Sequence, residues 1–256
     1  ADGASLGYLF IMNPSLARFM SHEAVEVGRL LFKWRQYDAV VALAESVVKS
    51  GAESADLSLL LGNAYLKTGS YDASYELFSR VVAKNERREQ AMAGLAEASF
   101  MLRRYDDVVG ICNRLEAAGS IVKRLAIYMS LALINSGDVR EGMNRLYRLD
   151  YEDGSDRNVK RAIAWGHLMN HKPDEALRIY DALVADGSDV ADDFLNCGYA
   201  KWLLHRNDEA RQLFGRYKAA MESNGNSGCL ASAFAADKDL LDRYGVGDFE
   251  KVIMLE

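Results

Sequence analysis

A Tyr-Asp pair recurs at Tyr37-Asp38, Tyr71-Asp72 and Tyr105-Asp106, 34 residues apart each time. A fixed period of this length restricts a chain to architectures in which one supersecondary unit stacks on the next. The same grid reaches well beyond those three pairs. Small residues fall at Gly28, Gly62, Ala96, Ser130, Ala164 and Gly198, and sixteen residues after each come Ala44, Phe78, Cys112, Leu146, Tyr180 and Phe214. Nineteen residues after each small residue come Val47, Val81, Leu115, Leu149, Leu183 and Tyr217. Six units without insertion or deletion are therefore predicted, at 21–54, 55–88, 89–122, 123–156, 157–190 and 191–224.

Each unit reads as two amphipathic helices joined by a short turn. In the second, Leu57, Leu60, Leu61, Ala64 and Tyr65 recur at helical spacing, Thr68-Gly69-Ser70 breaks the pattern, and Ala73, Leu77, Phe78, Val81 and Val82 resume it. Only two prolines, Pro14 and Pro173, interrupt a chain that is 50% hydrophobic, which favours helix throughout. Gly51, Gly119 and Gly187 are expected helix stops, because glycine adopts positive φ at little cost. One helix pair cannot bury both of its faces, so stacking must supply a continuous core.

These residues resemble the tetratricopeptide repeat family. The resemblance is carried by Leu61-Gly62-x-x-Tyr65, Gly69-x-Tyr71 and Phe78, and in the fifth unit by Pro173-Asp174-Glu175-Ala176-Leu177. The proline usual near the end of a family repeat is replaced by Ala52, Glu86, Ser120, Gly154, Ser188 and Glu222. The fold implied is all-α, a right-handed solenoid of antiparallel helix pairs whose first helices line a concave face. Residues 1–20, with the apolar run Leu6 to Met12, read as either a cap or the remnant of a preceding repeat. Residues 225–256 leave the grid. Leu230, Phe234, Leu240, Leu241 and Tyr244 predict a capping helix ending at Gly245, followed by an apolar terminus at Val252 to Leu255.

The sequence offers no catalytic constellation. It contains neither a Gly-x-x-x-x-Gly-Lys phosphate loop nor a Gly-x-Gly-x-x-Gly turn, and His22-Glu23-x-x-Glu26 lacks the second histidine of a zinc-protease helix. A non-enzymatic role without cofactor or metal is therefore expected. The nearest approach to a metal site is His167 and His171 on one helical face, with His205 one repeat further on. Cys112 and Cys197 fall on core grid positions, and Cys229 lies outside the grid. A net charge of −6 without a basic stripe argues against nucleic acid. No apolar run reaches the roughly 18 to 20 residues that a membrane-spanning helix needs. The apolar run Leu6 to Met12 is short, lacks a basic region before it and meets Asn13-Pro14, which is not the pattern of a secretory signal.

What the resemblance implies is a scaffold that holds a peptide or protein segment in its concave groove. The alternatives are a self-associating assembly module and an accessory domain of a larger chain. Some family members clamp a terminal carboxylate with lysine, asparagine and arginine. The matching positions here hold Val25, Arg29, Leu60, Gln90 and Gly94, and they supply no cationic cluster. The family grid instead places Tyr128, Arg161, Trp165, Met169, Leu195, Asn196, Tyr199 and Trp202 on the groove face, with Trp165 and Tyr199 at equivalent positions. Aromatics grouped with arginine and asparagine suit a binding hot spot. The competing reading has the chain's own tail folding back to cover them.

If neighbouring repeats share one core, Leu61→Ala or Phe78→Ala opens a cavity at two interfaces at once. Each is expected to cost about 2 to 5 kcal/mol, read from chemical denaturation.

Overall fold

The computed structural model describes residues 21–51, 54–84, 88–223 and 229–246. The readings of residues 1–20 and of Val252 to Leu255 lie outside the described residues. Among those described there are fourteen helices and no strand. In chain order they are α1 (Ser21–Lys33), α2 (Tyr37–Lys49), α3 (Ala55–Thr68), α4 (Tyr71–Ala83), α5 (Arg88–Met101), α6 (Tyr105–Ala117) and α7 (Lys123–Ser136). There follow α8 (Val139–Glu152), α9 (Arg157–Met169), α10 (Pro173–Ala185), α11 (Ala191–Leu203), α12 (Asn207–Ser223), α13 (Leu230–Ala236) and α14 (Lys238–Arg243). The fold is all-α, a solenoid of antiparallel helix pairs. The chain forms two compact units, Ala1–Ala132 and Leu133–Glu256.

The period is visible in the backbone. The second helices begin at Tyr37, Tyr71, Tyr105, Val139, Pro173 and Asn207, each 34 residues after the last. Just before each lies a residue in the left-handed region: Arg35 (φ 59°), Gly69 (78°), Arg103 (58°), Gly137 (108°), His171 (56°) and His205 (61°). The next residue's amide then reaches back five positions, as in Gln36 N to Leu31 O at 3.0 Å, Ser70 N to Tyr65 O at 2.9 Å and Arg206 N to Lys201 O at 2.9 Å. This closure satisfies carbonyls that the helix end leaves without an intrahelical partner. Gly51, Gly119 and Gly187 end second helices with φ of 83°, 68° and 75°, as their spacing predicts.

Burial follows the grid. The small residues are buried, and so are Ala44, Phe78, Cys112, Leu146, Tyr180 and Phe214. In the first unit Phe78 wedges between two first helices. A methyl group placed on Gly62 would lie 2.6 Å from the Phe78 ring, and one placed on Gly94 would clash with the same ring. The Ser74 hydroxyl donates to the Gly62 carbonyl at 2.9 Å, so the same approach satisfies a buried polar group. In the second unit Phe214 lies against Gly198 in the same way.

The tail departs from its sequence reading in one respect. Instead of one helix up to Gly245 it forms two short ones, α13 and α14, broken at Asp237 (φ −98°, ψ 21°). Its carboxylate accepts a hydrogen bond from the Tyr199 hydroxyl. Phe234, Leu240 and Leu241 are buried, and Gly245 (φ 72°) ends the segment as expected.

A left-handed conformation costs an L-residue roughly 1 kcal/mol that glycine does not incur. Arg35→Gly and His205→Gly should therefore each raise unfolding stability by about 0.5 to 1 kcal/mol, and Gly69→Ala should lower it by about 1 kcal/mol. Urea midpoints of the three variants check this.

Candidate functional site

In the second unit the candidate face is built on α9 and α11. The Asp156 carboxylate caps α9 by accepting from the amides of Asn158 (2.9 Å) and Val159 (3.4 Å). At the other end of the helix, the left-handed turn at His171 fixes where it stops. Between these limits the helical period brings Arg161, Trp165, Leu168 and Met169 to one side.

Arg161 is already engaged. Its Nε and Nη2 donate to the two carboxylate oxygens of Asp193 at 2.8 Å each, while Nη1 donates to Asn158 Oδ1 at 3.0 Å and Nη2 also reaches Ser188 Oγ at 3.3 Å. The Asp193 side chain is 1% exposed and that of Arg161 22%. Ser188 donates to the same carboxylate at 2.5 Å. The arrangement ties α9 to α11 and to the turn between α10 and α11, and leaves the guanidinium little capacity for an external acid. Tyr180, buried beside this network, has its ionisation pushed well up, first by burial and then by the Asp193 charge.

Trp165 is partly exposed, and its indole N–H donates to Asn135 Oδ1 at 2.9 Å. Asn196 and Trp202 are also partly exposed. Met169, Leu195 and Tyr199 are buried. Tyr199 is enclosed by the tail: its ring centroid lies 5.9 Å from that of Phe234 and 5.9 Å from that of Phe214, and its hydroxyl donates to Asp237 at 3.1 Å. Burial first, and the Asp237 carboxylate second, push Tyr199 ionisation far above the ordinary tyrosine range. Of the seven sequence-derived residues in this unit, Trp165, Asn196 and Trp202 are thus partly exposed and Arg161 is largely committed. Asn135, Ser188, Asp193 and Asp237 escaped the sequence reading. Asn135 occupies a groove position of the fourth unit and could have been found from the grid, whereas Asp237 lies where no grid runs.

Tyr128 belongs to the first unit and has its own setting. Its ring stacks on Phe100 with centroids 4.8 Å apart and planes at 26°. Arg124 donates to Glu97 at 2.9 Å, and the Glu97 side chain is only 10% exposed. Burial, followed by the Glu97 charge, raises the Tyr128 ionisation.

The histidines have separate surroundings. His167 Nε2 lies 3.4 Å from the Tyr147 hydroxyl, and partial burial lowers its proton affinity against an opposing pull from Glu175. The ring of His171 instead faces Tyr244 at 4.8 Å. Among the described residues no three His, Cys, Asp or Glu side chains are grouped so as to hold a metal ion. None of the described helices is long and apolar enough to cross a membrane. Cys112 and Cys197 are buried and Cys229 is exposed. Burial, followed by the neighbouring Asp181 carboxylate, pushes the Cys197 thiol up to about 12.

A tetratricopeptide repeat family model matches residues 28–86 and 59–120. No curated protein matches. Among solved structures, a tetratricopeptide repeat protein from Parabacteroides merdae superposes with a TM-score of 0.69 at 11% identity, over 85% of this chain and 91% of that one. A thermophilic TPR protein from Thermus thermophilus gives a TM-score of 0.55 at 19% identity, over 70% and 97% of the two chains. MamA of AMB-1 gives a TM-score of 0.52 at 23% identity, over 69% of this chain and 94% of that one. These three likenesses are of fold.

Asp193 holds the framework of the second-unit face. In Asp193→Asn the Arg161 guanidinium keeps its partial burial and loses its counter-charge, which should cost about 3 kcal/mol. Guanidinium unfolding followed by circular dichroism measures the loss.

Proposed function

The chain belongs to the tetratricopeptide repeat family, and on that premise we propose that it is a protein-interaction scaffold whose second unit receives a peptide or protein segment on the face carrying Trp165, Asn196 and Trp202. The observation that carries this reading is the state of Trp165. A large aromatic on a first helix is left partly open to solvent, yet its orientation is held by a single hydrogen bond to Asn135. A ring held in place before binding forfeits little conformational freedom when a partner covers it, and aromatic anchors of this kind dominate interface energetics. Asn196, partly exposed on α11, adds an adaptable amide. Arg161 contributes through the framework it shares with Asp193 rather than through direct charge recognition. The even charge distribution along the repeats fits a partner chosen by shape and aromatic contact more than by electrostatic steering.

Given a partner recovered by pull-down, Trp165→Ala should weaken binding by about 2 kcal/mol or more while the melting temperature stays unchanged. Calorimetric titration beside a thermal melt separates the outcomes. A sharp fall in melting temperature with affinity intact assigns Trp165 to the core and removes this site.

A further inference from the structure

The segment 229–246 is not a seventh repeat. After α13 the chain turns at Asp237, and α14 touches α9, which lies two first helices back. The Tyr244 hydroxyl donates to the Leu168 carbonyl at 2.9 Å, at the end of α9, and its ring lies on His171. Asp237 takes the Tyr199 hydroxyl, and Phe234 packs its edge against Phe214, with centroids 5.5 Å apart and planes at 76°. Leu168 and Tyr199 belong to the same first-helix face as Trp165, so the tail takes up part of the ground a partner would use. Its hold is limited. The two helices have seven and six residues, lengths at which a helix is unstable on its own. The sequence that connects them to α12, Asn224-Gly225-Asn226-Ser227-Gly228, contains no apolar side chain.

We propose that the C-terminal helix pair is a displaceable internal ligand, and that the external partner of this face is a short amphipathic helical segment of the same chemistry. That segment presents an aromatic residue, a carboxylate three positions on for the Tyr199 hydroxyl, and a tyrosine seven positions further for the Leu168 carbonyl. This rests on the groove reading above and adds the class of partner and its competitor. The chain then binds its partner with an affinity reduced by the fraction of time the tail is closed.

The probe is a fluorescently labelled synthetic peptide with the sequence of residues 229–246, titrated into the full chain and into the full-length double variant Asp237→Asn, Tyr244→Phe. The variant keeps the apolar tail contacts and weakens the two polar ones. The variant should bind the peptide at least about tenfold more tightly than the unaltered chain, since each hydrogen bond contributes a modest but measurable share. Amide hydrogen exchange, run in parallel, should show 230–243 opening faster than α9 to α12 in both proteins, and faster still in the variant. Equal peptide affinity in the two proteins overturns the proposal. Tail amides that exchange only together with α9 to α12 overturn it as well, because the tail is then part of the core. In that second case a Trp165-dependent partner leaves the groove reading standing. A tail that opens freely while the face still takes no peptide brings both down.

Discussion

The ring of Phe78 occupies space that exists only because Gly62 and Gly94 have no side chains. That close approach sets the distance between successive first helices of the first unit, and in the second unit Phe214 packs equally closely against Gly198 of α11. The faces of α3 and α5 inherit their spacing from the Phe78 wedge. Side chains at equivalent grid positions come side by side because the backbones behind them are held at a spacing that only a small residue allows. Close-packed interiors transmit such constraints, since a methyl group too many cannot be absorbed locally.

This is also why so much of the fold was legible in the sequence. Small residue, wedge and turn each recur at 34 residues, and the three signals agree because they describe one packing unit. The turn was less obvious. Gly69 and Gly137 announce a left-handed position, but Arg35, Arg103, His171 and His205 occupy the same conformation without advertising it. Only their alignment with the two glycines reveals them. The local preference of arginine or histidine is overruled there by the closure of two helices that must turn back on each other.

The candidate site was legible to a lesser depth. The grid assigns residues to a first-helix face from helical period alone. It cannot say which of them are consumed by neighbours. Arg161 reads in sequence as a groove-lining residue, whereas Asp193, thirty-two positions away, captures it with two short hydrogen bonds. Tyr199 and Trp165 are equivalent in sequence, yet one is enclosed and the other partly open. The difference arises from Phe234 and Asp237, which lie beyond the periodic region and carry no repeat-based expectation.

The chemistry of that enclosure bears on whether it can be reversed. A buried tyrosine hydroxyl must find an acceptor or pay a desolvation cost. Asp237 supplies that acceptor for Tyr199, and the Leu168 carbonyl supplies one for Tyr244. Both groups can exchange these bonds for water when the tail leaves, so the polar contacts fix the tail's position while adding only a small net stabilisation. The apolar part is concentrated in a few side chains, chiefly Phe234, Leu240 and Leu241, on helices too short to persist once detached. Such a cover is held in one place and one orientation by its polar contacts. The Arg161–Asp193 pair, which ties α9 to α11, involves no part of the tail, whereas the Phe214 ring touches Phe234 and so belongs to both repeat and tail. In the proposed role of the tail, the ion pair that joins α9 to α11 stays in place when the cover leaves, and the same surface then becomes open to a competitor of matching shape.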